Sequence, residues 1–272
     1  MRPFDPDHQL INANFELALA EKEIYGTYGD RVSIWDKAKT LLKFGENLDL
    51  DVGVQETIWQ PGGHETYVFA NEIDRVVSTS VSDVGSVVIE GHINSGTELV
   101  PIYSFVKQTV TLTGRTPVAL PTPVSRVSRL AVVGNVGLSG DVAVFEDSAV
   151  SSGSPSDITK VHILVRGTLG YNSSQKAATT LSNTDYFILE GVFTSVQRSA
   201  SAVVDFTLEV REGGGVFVPK LAWSSTQSGT DISLNPYIIV PKNADVRIVG
   251  TSNVNNTSAT ASFGGFLASI VT

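Results

Sequence analysis

A period of two runs through most of this chain, and it leaves room for little besides antiparallel β-structure. Between residues 203 and 211 the alternation is strict: Val204, Phe206, Leu208 and Val210 fall on one side, Asp205, Thr207, Glu209 and Arg211 on the other. Successive side chains of a strand point to opposite faces, so this segment is predicted to turn one face to a core and the other to water. Segments 54–60, 65–70, 74–80, 85–93, 102–113, 124–134 and 141–147 are likewise rich in Val, Ile, Thr and aromatic residues. Turn chemistry separates them: Pro61-Gly62-Gly63, Asp83-Val84-Gly85, Asn94-Ser95-Gly96, Gly114 and the stretch from Gly137 to Gly140. Further strands are predicted at 186–193, 215–222, 236–240, 244–251 and 258–270, with Gly264-Gly265 marking a bulge or a close backbone approach. Strands at this spacing predict sandwiches or barrels, not βαβ units.

The first 45 residues carry another period. Ile11, Phe15, Ala18 and Leu19 recur at helical spacing, as do Ile34, Trp35, Ala38, Leu41 and Leu42. Ser33 and Asp36 resemble a capping box before the second set, and Gly45 suits a helix stop after it. One or two short helices are therefore predicted, either packed on the first β domain or forming an arm that docks on a neighbouring subunit. In the second case Phe15, Ile34, Trp35, Leu41 and Leu42 are the partner contacts. The small, polar run from Glu146 to Asp157 has the composition of a linker or a long surface loop, and the domain boundary is placed there. The expectation is an all-β protein: two β-sandwich or jelly-roll-like domains preceded by a short helical N-terminal arm. The arm covers 1–45, a β domain 46–150 and a jelly-roll-like β domain 151–272.

Composition excludes several kinds of chemistry. Cysteine is absent, which removes disulfides, thiolate metal sites and cysteine nucleophiles. A net charge of −9 with scattered Lys and Arg argues against nucleic acid as a partner, because phosphate binding draws on clustered cations. No apolar run is long enough to span a membrane as a helix, and the start Met1-Arg2-Pro3-Phe4 lacks a signal peptide's apolar stretch.

No catalytic, cofactor or metal site is expected. His64 and Glu65 lack the second His that a metalloprotease helix needs at position 68, which is Val. His92 and His162 stand apart from other ligand types and read as structural. Asp49 and Asp51 share a strand face without a calcium loop around them. Glu190 and Asp205 on adjacent predicted strands are the nearest approach to a glycosidase pair, but no supporting motif accompanies them. Gly213-Gly214-Gly215 runs on into Val216-Phe217-Val218, so it is a hairpin turn, not a phosphate cradle. The chain is expected not to be an enzyme.

The segments Asp74-Arg-Val-Val-Ser-Thr-Ser-Val-Ser-Asp-Val-Gly-Ser-Val-Val-Ile-Glu-Gly91, Leu112 to Leu120, Ser125 to Ala131, Ser139 to Val144, Thr194 to Arg198, Glu209 to Phe217 and Pro241 to Leu267 stand out. Together they resemble segments of virion structural proteins of short-tailed marine bacteriophages. The resemblance implies a capsid decoration (cement) protein with a jelly-roll domain. Such a protein is made in the host cytoplasm, forms a homotrimer and sits on the capsid surface of the virion, bound to the major capsid protein. Two other readings remain open at this point. One is a tail or fibre adhesin that contacts host glycan, with Trp59, Tyr67 or Trp223 stacking on sugars. The other is a free carbohydrate-binding β-sandwich module.

Overall fold

The computed structural model describes residues 39–134, 137–197 and 202–269, and the backbone of a two-residue ladder at 24–25 and 31–32. In chain order the strands are β1 (Ile24–Tyr25), β2 (Arg31–Val32), β3 (Lys39–Leu50), β4 (Glu56–Thr57), β5 (Ile73–Ser78), β6 (Ser86–Asn94) and β7 (Tyr103–Thr111). There follow β8 (Val118–Val124), β9 (Arg126–Val132), β10 (Val142–Glu146), β11 (Val150–Ser151), β12 (Ser154–Pro155), β13 (Val161–Val165) and β14 (Ala178–Thr180). The last six are β15 (Asp185–Gln197), β16 (Val204–Glu212), β17 (Val218–Ser225), β18 (Thr230–Val240), β19 (Ala244–Ser252) and β20 (Thr257–Ser269). Every named ladder is antiparallel, as the alternating pattern requires.

Two hydrophobic cores organise these strands. The inner sandwich opposes the sheet β13-β10-β5-β8 to the sheet β7-β6-β9. Between them lie Ile73, Val76, Ile89, Leu130, Val144 and Ile163, all essentially without solvent contact. The outer sandwich opposes β14-β19-β16-β17 to β18-β15-β20-β3, with β4 added beside β19. Its core holds Leu50, Ile58, Leu189, Phe206, Ile248 and the tilted ring pair Phe187–Phe263, whose centroids are 5.9 Å apart. Each such side chain contributes about 1.5–3 kcal/mol by leaving water.

The pairings do not follow a division at 150/151. β13 pairs with β10 across it, while β3 and β4, from the start of the described chain, belong to the outer sandwich with β20 and β19. The inner sandwich is thus carried as an insertion between Ile58 and Ala177, whose backbones are hydrogen-bonded at 2.9 Å. The polar run 146–157 is no linker: it folds back as the β11–β12 hairpin between two neighbouring strands of one sheet.

The expected helix through Leu41 and Leu42 is replaced by a strand. Residues 39–50 form β3, which pairs along nearly its whole length with β20. Gly45 is not a helix stop but a point of close packing. A Cβ there would fall 2.1 Å from the carbonyl oxygen of Ile58 and 2.3 Å from the nitrogen of Ala177. Phe15, Ile34 and Trp35 lie outside the described residues. At Gly265 the expected close approach is present, with a virtual Cβ 1.9 Å from Ile188 O beside the register shift in β15. Segment 65–70 is not a strand, and β8, which carries Pro121 and Pro123, is one.

Candidate interaction surface

A buried charge network fastens the two sandwiches together. Asp245, on β19 of the outer sandwich, receives Arg126 Nε from β9 of the inner one at 3.0 Å and Arg211 Nη2 from β16 at 2.6 Å. Thr180 Oγ1 donates to the same carboxylate at 2.6 Å. Burial alone would push the Asp245 carboxyl up; Arg126 and then Arg211 outweigh it and hold it below the ordinary carboxylate value. Arg126 also donates to Tyr103 OH at 2.7 Å, to Ser125 O and to Val68 O. A second tie joins Lys176 to Glu65, with Tyr67 OH donating to the other Glu65 oxygen at 2.9 Å.

Aromatic rings line this network. Arg211 sits 4.3 Å over the Tyr67 ring and Arg247 3.8 Å over Phe217, while Arg247 Nε pairs with Glu209 at 2.9 Å. Planar guanidinium groups stack on ring faces while their edges meet carboxylates, which is how three arginines can be packed in a dry seam. The alternation in β16 therefore misleads at its C-terminal end. Glu209 and Arg211, placed by pattern on a solvated face, are buried at this seam, whereas Asp205 is exposed as expected. These paired charges fix one sandwich against the other.

Among the exposed apolar side chains, two places gather several at once. On the outward face of the sheet β18-β15-β20-β3, Leu42 is 69% exposed, Phe44 43%, Phe193 45% and Ile239 45%. Cross-strand register aligns them: Phe44 and Phe193 both pair with Ser262, and Leu42 lies over Gly264. Ile188, Ala268, Phe266 and Tyr237 continue the same face as a small cluster of their own. The second place is a pair of loops. The turn at Gly213 to Gly215 rests on Glu98 and Leu99, and there Leu99, Val100 and Val216 are among the most exposed apolar residues described. Contiguous apolar surface of this kind marks contact sites.

Known proteins offer limited comparison. No family model matches the sequence, and no curated protein matches it. Among solved structures the chain is similar to infectious bursal disease virus, Gt strain, at 8% identity over 91% of this chain and 80% of that chain, TM-score 0.19. The T13 particle of that virus gives 8% over 86% and 70%, TM-score 0.23, and its VP2 subviral particle 10% over 97% and 77%, TM-score 0.20. At such scores the architecture rests on the strand pairings described above.

The residues singled out in the sequence are dispersed. Leu41 packs against the outer core, while its neighbour Leu42 is on the exposed face. Trp59 is buried, its Nε1 donating to Gly62 O and Gly63 O, and Trp223 stacks on Phe206 at 5.8 Å. Tyr67 belongs to the arginine seam. His92 is buried against Phe105 and Tyr103, and burial drives its imidazole down to about 4. His162 stands 3.7 Å from Glu146, whose carboxyl is held low by that histidine and by Lys160. Glu190 and Asp205 lie in different sheets. His64 is exposed, but Glu65 beside it is buried. Among the described residues no group of three or more His, Asp or Glu is placed to hold a metal ion, and no helix is long and apolar enough to cross a membrane.

Proposed function

We propose that this chain is a structural, non-catalytic virion protein: a capsid decoration (cement) protein that grips the outside of a phage head and is found on the capsid surface. In this reading its partners are the major capsid protein and two further copies of itself. The observation that carries it is a body stiffened by a buried salt-bridge seam that still presents two apolar patches, around Leu42 and Phe44 and around Leu99 and Val216. A stiff body loses little entropy when several contacts form together. Multivalency then raises occupancy without enlarging any single contact beyond a standard interface of about 800 Å² per partner.

The test is the number of copies on purified particles, measured by quantitative mass spectrometry, with imaging of their position. Copies matching the count of capsomer junctions are expected. A handful per particle at the tail would replace this reading with that of a tail or fibre adhesin. Absence from particles altogether would overturn it.

A further inference from the structure

Lys43 lies in the seam between the sandwiches with no carboxylate in ion-pair reach among the described residues. Half-buried on the edge strand β3, it donates through Nζ to Ser128 O of β9 at 2.9 Å. The charged groups that face it are Lys176, Glu90 on β6, Arg129 on β9 and Glu65. Neither carboxylate is spare. Glu65 is committed to Lys176 and Tyr67, and Glu90 receives Lys107 at 3.3 Å and Arg129 at 3.5 Å. Burial first, and then the charge of Lys176, hold the Lys43 amine down at about 8. A half-buried cation without a counter-ion is costly, and a bound anion would relieve that cost.

Beside Lys43 opens a cleft of about 300 Å³. Its lining also includes Gln175, the half-exposed Arg129 and Lys176, whose ammonium is taken up by Glu65, Val127 O and His162 O. Leu42 and Phe44 form an apolar rim. That volume is at the small end of ligand clefts, and the lining pairs cations with amide and apolar surface. An arginine at the mouth presents the planar fork that matches a carboxylate or phosphate.

We propose that this cleft binds a small organic oxyanion, a carboxylate or phosphate ester, with Lys43 as its principal cation and Arg129 as the second. The site stands whether or not the chain decorates a capsid.

The experiment uses the full chain with its lysines reductively methylated with carbon-13, which keeps their charge, and follows each dimethylamine by NMR. Benzoate and phenyl phosphate are the probes, and acetate tests charge alone. Benzoate or phenyl phosphate is expected to shift the Lys43 signal saturably, with a dissociation constant of about 1 mM or tighter and with acetate weaker. Lys39 and Lys242 stay unmoved. Because the amine loses its proton near 8, benzoate affinity falls about tenfold between about pH 7 and about pH 9. Lys43→Met abolishes the binding and Lys43→Arg retains it. The proposal is overturned if neither probe moves Lys43 up to about 10 mM, if Lys39 and Lys242 respond equally, or if the Lys43→Met protein binds as well. The signal of the unsubstituted protein decides the matter even if that variant fails to fold.

Discussion

Arg126 and Asp245 stand 3.0 Å apart although each belongs to a different sandwich, and both are almost completely withdrawn from solvent. The pair does not gain its worth from attraction alone, since burying two charges costs several kcal/mol per ion before they meet. It holds because Arg211, Thr180 and Tyr103 satisfy the remaining donors and acceptors. Removing one member therefore strands the others.

Asp245→Asn leaves Arg126 and Arg211 side by side without their counter-charge. Stability is expected to fall by about 3–5 kcal/mol in urea denaturation. A loss below about 1 kcal/mol would equate the seam with a surface ion pair.

Acid should weaken the fold in a defined window. The His92 imidazole titrates at about 4 when folded, against about 6.5 in an unfolded chain. Between those values only the unfolded state takes the proton. The His92 contribution is thus full above about pH 6.5 and is lost as the pH falls towards about 4, by about 3 kcal/mol in all. Melting curves of the native protein and of His92→Gln across this range should converge in slope only above it. An identical pH profile for the two proteins would contradict the assignment.

Gly45→Ala tests the close packing of β3, because the added methyl meets the backbone of Ile58 and Ala177. Overpacking of this kind costs about 1–3 kcal/mol or more. Unchanged thermal stability would remove β3 from the close contact described here.

Exposed apolar residues should behave in the opposite way. Leu42→Ser with Phe44→Ser, and separately Leu99→Ser with Val216→Ser, are each expected to change stability by no more than about 0.5 kcal/mol. On the capsid reading, occupancy on particles should drop at least severalfold for one pair or both. Normal occupancy for both pairs would take these patches out of the attachment account.

Much of the fold was legible in the residues because one-sided strands write their burial into alternation, as β16 does for most of its length. Where both sides of a strand are apolar, that code fails. In β3, Leu41 serves the core and Leu42 the outer face, and two adjacent leucines fit a helical stripe as readily as a strand. β8 was hidden by Pro121 and Pro123, which an edge strand tolerates because one side of its backbone needs no partner. The seam was illegible for another reason. Arg126 and Asp245 are 119 residues apart, and a buried ion pair leaves no periodic trace. One local hint existed: Asp245 and Arg247 sit among Val246, Ile248 and Val249 in a run otherwise fit only for a core.

The hydrogen bond from Ala177 to Ile58, with the bridge between Trp59 and Lys176 next to it, places the two ends of the inner sandwich side by side. A ribosome making this protein must emit that whole module before the first outer strands meet their partners in β19 and β20. Paired ends also let the outer sandwich keep the register of β4 and β14 whatever length of chain runs between Ile58 and Ala177.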